Sequence, residues 1–160
     1  MYKKVLLAYD GTVDGRRALR EGALLAKTCG AQVYLLSVIS GTGGLQIAES
    51  VVSGPMARCA DDYRAILQEG VDGLTQLGFD PVAKLVRGEP VREIAAFARK
   101  IGADLVVVGH RKQSLLSRWW SGTTGAYLVD QLACSVLIAR TVITDEAFNQ
   151  ALGKLNETAH

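Results

Sequence analysis

The residues best suited to chemistry lie between Leu105 and Gly125. A fully apolar run, Leu105-Val106-Val107-Val108, ends at Gly109. A 12-residue basic loop follows, His110 to Ser121, and then Gly122-Thr123-Thr124-Gly125 opens a helical pattern. A buried strand that delivers the chain to a glycine-bounded loop and a helix N-terminus builds an anion site. Free backbone N–H groups and the helix dipole both favour phosphate there. Glycine lets the backbone approach a ligand with no Cβ in the way. The pattern points to a phosphorylated small molecule, above all a nucleotide. A second candidate, Asp10-Gly11-Thr12, follows the first apolar run, Val5–Tyr9. Plainer readings stand beside both. An Asp-Gly pair after a strand is often only a turn, and Thr suits any helix start.

Other chemistries find less support. There is no GxxxxGK[ST] pattern, which argues against a P-loop NTPase, and Gly41-Thr42-Gly43-Gly44 is not GxGxxG. His110 has no partner nucleophile or carboxylate pair at a telling spacing, so an exposed loop histidine is the simpler reading. Cys29, Cys59 and Cys134 are odd in number and form no CxxC. They argue against a disulfide framework or a zinc site and fit a reducing cytoplasm. Arg111, Lys112 and Arg118 beside Trp119-Trp120 have the ingredients for stacking on single-stranded nucleic acid. A net charge of only +2 argues against nucleic acid or an anionic membrane as partner. No segment approaches the ~20 apolar residues of a membrane span. The N-terminal apolar run meets Asp10 at once and reads as a strand rather than a signal peptide. At 160 residues, with 49% apolar and 21% charged, the chain suits one globular domain with a real core.

Continuous apolar runs alternate with helical patterns. Val5–Tyr9 predicts a first strand. Asp14 is a candidate N-cap for a helix whose apolar stripe is Ala18, Gly22, Leu25 and Ala26, ending at Gly30. Gln32–Ile39 is a second strand, and the Gly- and Ser-rich stretch from Ser40 to Gly54 is a loop. A second helix runs from about Pro55 to Leu77, closed by Gly78. Pro81–Val86 is a more polar strand suited to a sheet edge. Pro90 opens a third helix with core face Val91, Ile94, Ala95 and Ala98, closed by Gly102. Leu105–Val108, a helix over Gly122–Leu132, the strand Ser135–Arg140 and a last helix capped by Thr144-Asp145-Glu146 complete the set. Apolar strands separated by helices imply a parallel sheet covered on both faces, hence a doubly wound α/β fold. Ligands are expected beyond the strand C-termini, at the switch point. Periodicity alone does not choose the strand order.

Two segments carry a family likeness. Val5-Leu6-Leu7-Ala8-Tyr9-Asp10-Gly11-Thr12, followed by Ala18-Leu19, resembles the opening of the universal stress protein family, where a first strand ends in Asp-Gly-Ser. Gly109-His110-Arg111-Lys112, nine residues and then Gly122-Thr123 resemble that family's nucleotide loop, G-x2-G-x9-G-[ST]. Ala103–Gly109, Cys134–Arg140 and Gly88-Glu89-Pro90 fit as well. The likeness covers residues 1–140, giving a domain over 1–142 and a helical extension over 143–160.

The resemblance implies a five-stranded sheet of order 3-2-1-4-5 and a bound adenine nucleotide, ATP or AMP, with Mg²⁺ as a companion ion where phosphates are bridged. It implies that Asp10, with Gly11 and Thr12, meets the ribose or adenine, and that Val38 contacts adenine through its backbone. Gly109, Gly122, Thr123 and Thr124 would surround the phosphates, with charge from Arg111 and Lys112, and Val108 would be a further nucleotide-binding residue. The motif's second glycine is Lys112 here. A lysine suits that position poorly if φ > 0 is required; alternatively its ammonium reaches a phosphate. The family's last strand commonly pairs across a two-fold axis, which implies a homodimer through Ser135–Arg140. Phe148, Leu152 and Leu155 fall at helical spacing in the extension and would cover the sheet edge or reinforce the dimer. The expected role is a cytoplasmic regulatory dimer of the stress response, with an unknown protein partner and no enzymatic turnover beyond slow ATP hydrolysis. The alternative is a relative that has lost nucleotide binding and acts as a partner-binding or structural dimer.

Overall fold

Val5, Leu6 and Leu7 are buried in succession. Only a strand covered on both faces can bury every consecutive side chain. The computed structural model describes residues 1–39, 54–110, 126–140 and 142–157. Its five strands are β1 (Lys4–Ala8), β2 (Gln32–Ile39), β3 (Val82–Arg87), β4 (Leu105–Gly109) and β5 (Ser135–Ala139). All neighbours pair in parallel, in the order β3-β2-β1-β4-β5. Val5 lies between Val33 and Leu105, so β1 is the centre of the sheet.

The helices are α1 (Val13–Cys29), α2 (Gly54–Gln76), α3 (Pro90–Ile101), α4 (Ala126–Gln131) and α5 (Asp145–Glu157). One core joins Val5, Leu7, Tyr9, Val33 and Leu35 to Ala18, Ala23 and Ala26 of α1 and Leu74 of α2. The other joins Leu6, Leu36, Val106 and Val108 to Val91, Ile94, Phe97 and Ala98 of α3. The helices therefore cover both faces, as the apolar strands require.

The helix ends follow local chemistry. Gly30 and Gly102 close α1 and α3 in the left-handed conformation, with φ of 60° and 63°. The α1 cap differs from expectation: Thr12, not Asp14, is the N-cap, and its hydroxyl accepts from Gly15 N at 3.1 Å. Asp14 sits in the first turn, where a carboxylate favours the helix dipole, and it pairs with Arg17 at 3.2 Å. In α3, Pro90 takes the first turn as expected, and the Glu89 carboxylate accepts from Val91 N and Arg92 N at 3.3 and 3.0 Å. β1 starts and ends one residue earlier than predicted, β3 starts and ends one residue later, β4 runs on to Gly109 and β5 stops at Ala139, the usual play of strand boundaries.

The extension forms α5, whose Thr144 hydroxyl accepts from Ala147 N at 3.2 Å. Its buried Phe148 lies under the Arg20 guanidinium, 5.4 Å from the ring centre, and Arg20 also pairs with Asp145. Its principal contacts go to α1 rather than to the β5 edge. Leu152 and Leu155 are half-buried.

Candidate functional site

β1 leads to β2 on one side of the sheet, and β4 leads to β5 on the other. The chain therefore leaves the C-terminal ends of β1 and β4 in opposite directions and opens a crevice between them, where ligands of this architecture bind. Asp10-Gly11-Thr12 forms one wall. Gly109 and His110 form the other.

The Asp10 wall is held by a relay. Asp10 Oδ1 accepts from Thr12 N at 3.0 Å and from Thr12 Oγ1 at 2.6 Å. Thr12 Oγ1 in turn caps α1. Asp10 itself is exposed, and its second oxygen has no partner among the described residues. Gly11 has φ +71°, and a Cβ there would stand 2.9 Å from Ile66 Cγ2 of α2, so both backbone and space demand glycine. Gly15, which the sequence did not single out, is pressed against the same carboxylate: a Cβ there would collide with Asp10 Oδ1.

Gly109 has a packing role of its own. A Cβ there would lie 2.7 Å from the Asp14 carbonyl oxygen and 3.2 Å from Gly15 N. The end of β4 thus abuts the first turn of α1, and the two walls of the crevice form one unit. His110 continues the sheet by donating its N–H to the Ala139 carbonyl at 3.2 Å. The Val108 side chain is fully buried in the α3-side core. Val38 is half-buried at the end of β2, paired with Val86. Arg111, Lys112, Gly122, Thr123 and Thr124 lie outside the described residues.

Behind the Asp10 wall lies a polar cluster that sequence reasoning missed. The Tyr9 hydroxyl donates to Glu69 Oε1 at 2.8 Å, and Arg16 grips both Glu69 oxygens at 2.7 and 3.1 Å. Burial, then the Glu69 hydrogen bond and charge, push the Tyr9 phenol up to about 12. The Arg16 hydrogen bond, then that from Tyr9, hold the Glu69 carboxyl below its usual range. The cluster joins β1, α1 and α2 across 53 and 60 residues of sequence, a separation no local motif signals.

At the opposite pole, where β1, β4 and β5 begin, Met1, Tyr2, Asp104, Cys134 and Ser135 line a shallow cleft of about 580 Å³. Asp104 Oδ2 accepts from Lys3 N and Lys4 N at 2.7 and 2.8 Å, which holds its carboxyl low. Burial, then the Asp104 charge, push the Cys134 thiol up, away from the thiolate a nucleophile needs. Among the described residues no group of three His, Cys, Asp or Glu is placed to hold a metal. No described helix is long and apolar enough to cross a membrane.

Comparison with known proteins agrees with this architecture. Residues 1–140 match the model of the Universal stress protein family. The chain is 30% identical over 149 residues to universal stress protein YxiE of Bacillus subtilis, covering 88% of this chain and all of that protein. It is 25% identical over 148 residues to universal stress protein MJ0531 of Methanocaldococcus jannaschii, covering 88% and 83%. The fold matches the solved structure of MJ0577 with a TM-score of 0.72 at 21% identity, over 90% of this chain and 99% of that one. It also matches the universal stress protein from Archaeoglobus fulgidus in complex with dAMP, with a TM-score of 0.63 at 20% identity, over 87% and 98%. A universal stress protein in complex with cAMP matches with a TM-score of 0.63 at 23% identity, over 88% and 98%.

Proposed function

The chain belongs to the universal stress protein family, and from that premise we propose that it binds an adenine nucleotide, ATP or AMP, and acts as a regulatory dimer in the stress response. The observation that carries the reading is that Asp10 and the Val38 backbone stand at the C-terminal ends of the neighbouring strands β1 and β2. Asp10 keeps one carboxylate oxygen unpartnered among the described residues while the other anchors the α1 cap. A ribose hydroxyl is the donor such an oxygen suits. The Val38 N–H and C=O form a donor and acceptor side by side, which matches N1 and the 6-amino group of adenine. Two structures of the same fold are described in complex with cAMP and dAMP. The phosphates would then lie across the crevice, beside Gly109 and the loop through Gly122, Thr123 and Thr124, with Arg111 and Lys112 supplying charge.

The role is regulation by occupancy rather than turnover. Nucleotide binding changes the surface offered to a protein partner. The two chains of the dimer meet along β5, whose Val136, Leu137 and Ile138 are half-exposed at the sheet edge. The scattered cysteines suit a cytoplasmic site of action.

The test is calorimetric titration with ATP, AMP and cAMP, with and without Mg²⁺, on protein stripped of co-purified nucleotide. Binding near one nucleotide per chain supports the reading and names the ligand. No heat at several temperatures, with no shift in Tm, overturns it. Asp10→Ala weakens binding if the ribose sits where proposed; unchanged affinity removes Asp10 from the site.

Lys112 favours a second reading, a family member that has lost nucleotide binding and serves as a partner-binding dimer. Lys112→Gly separates the two. A sharp rise in affinity means that the lysine blocks the site. A fall means that it contacts phosphate.

A further inference from the structure

Among the described residues, Ser37 is the fully buried polar side chain of the core. It lies in β2, among the apolar residues that follow Gln32. A buried hydroxyl needs a partner, and this one donates to the Tyr9 carbonyl oxygen at 2.8 Å. The position of that bond is informative. Regular pairing of β1 with β2 ends at Ala8↔Leu36, and Tyr9 N donates to the Leu36 carbonyl at 2.9 Å. In a continuing parallel ladder the next bond would run from the Val38 N–H to the Tyr9 carbonyl. The Ser37 hydroxyl stands there instead.

The Val38 amide is thereby set apart. Alternate residues of a strand turn their N–H and C=O to the same side. Leu36 turns to β1, and the Ile39 carbonyl accepts from Gly88 N beyond β3. Val38 therefore faces β1, just past the last rung of that ladder. Its N–H has no partner among the described residues.

We propose that Ser37 is a positioning residue for recognition of the adenine edge. By occupying the Tyr9 carbonyl it keeps the Val38 N–H available to the base, and it fixes the Tyr9–Asp10 peptide from which the Asp10 carboxylate projects. The inference rests on the nucleotide-binding reading above and assigns Ser37 an indirect part in it. Without the hydroxyl, the Val38 amide falls back onto the Tyr9 carbonyl and the ladder gains a rung.

Two measurements on the full chain test this. In nucleotide-free protein, amide hydrogen exchange at Val38 slows about tenfold in Ser37→Ala as the amide enters the ladder. Equal exchange in both proteins overturns the proposal. With nucleotide present, the preference for ATP over ITP falls about tenfold in Ser37→Ala, because inosine presents the reversed donor and acceptor to Val38. Ser37→Thr, which keeps the hydroxyl, retains the wild-type preference. A merely structural role would lower Tm and weaken ATP and ITP alike, and that result also overturns the proposal. If the wild-type protein binds no adenine nucleotide, the functional reading fails, and the Val38 exchange alone decides the role of Ser37.

Discussion

Gly109 faces Asp14 so closely that a β-carbon on residue 109 would come within 2.7 Å of the Asp14 carbonyl oxygen. The close neighbour is backbone in the first turn of α1, not the end of a flexible side chain. Gly109→Ala must therefore push β4 and α1 apart. Overpacking of this kind costs about 1–3 kcal/mol. Urea denaturation of the nucleotide-free protein should show a lower midpoint with an unchanged slope. An unchanged midpoint would mean that Gly109 is held open for a ligand alone.

The Tyr9 phenol titrates late because burial and the Glu69 carboxylate oppose its ionisation. Its folded pKa, about 12, exceeds the ordinary tyrosine value of 10.0. The folded state therefore holds the proton more tightly, and this stabilisation is complete below pH 10. It is lost as the pH rises from 10 to 12. Ultraviolet titration should show one tyrosine ionising after the others, and Tyr9→Phe should remove that late step. Glu69→Gln should shift the step to lower pH. A late step that survives Tyr9→Phe would assign it to another tyrosine.

The fold and the cluster behind the site differed in how far sequence could reach them. Strand positions were legible because Val5–Tyr9, Gln32–Ile39 and Leu105–Val108 are apolar at nearly every residue, and Gly30, Gly78 and Gly102 marked the helix ends. The strand order came from the family likeness, since a buried run does not name its neighbour. The α1 cap fell on Thr12 rather than Asp14 because both positions carry good capping side chains; the extended backbone at Thr12 decides it. Asp10 and Gly109 were legible as residues at strand ends, but the contact of Gly109 with α1 was not. The Tyr9–Glu69–Arg16 cluster was hidden for the same reason: only the packing of α1 and α2 on one face of the sheet brings distant side chains together. Ser37 was not singled out by the sequence. Its importance lies in where the β1–β2 ladder stops.

Phe148 fastens α5 to α1, with Arg20 over its ring and paired to Asp145. Family-matched residues end at 140, so α5 is an addition to a sheet that already has both faces covered. Phe148→Ala should therefore release the helix without unfolding the domain. Loss of a buried phenylalanine ring costs about 3–5 kcal/mol where the site cannot relax, which exceeds what one amphipathic helix of 13 residues sustains alone. Hydrogen exchange should rise across residues 145–157 while β1 and β4 stay protected. Loss of protection in the central strands as well would make α5 part of the core rather than an addition to it.

The dimer proposed along β5 rests on hydrogen bonds that point away from the sheet. Ser135 N donates to the Asp104 carbonyl, and the Ala139 carbonyl accepts from His110 N. Residues 135, 137 and 139 therefore turn their backbone groups to β4, and Val136 and Ile138 turn theirs outward. Val136→Pro removes an outward N–H and leaves every bond to β4 in place, and edge strands tolerate proline on that side. Light scattering should report a dimer for the wild type and a monomer for Val136→Pro, with the far-ultraviolet spectrum unchanged. A dimer that persists in Val136→Pro would move the interface off the β5 edge. A wild type that is monomeric at all concentrations would remove the dimer from the proposed function and leave β5 as an unpaired edge.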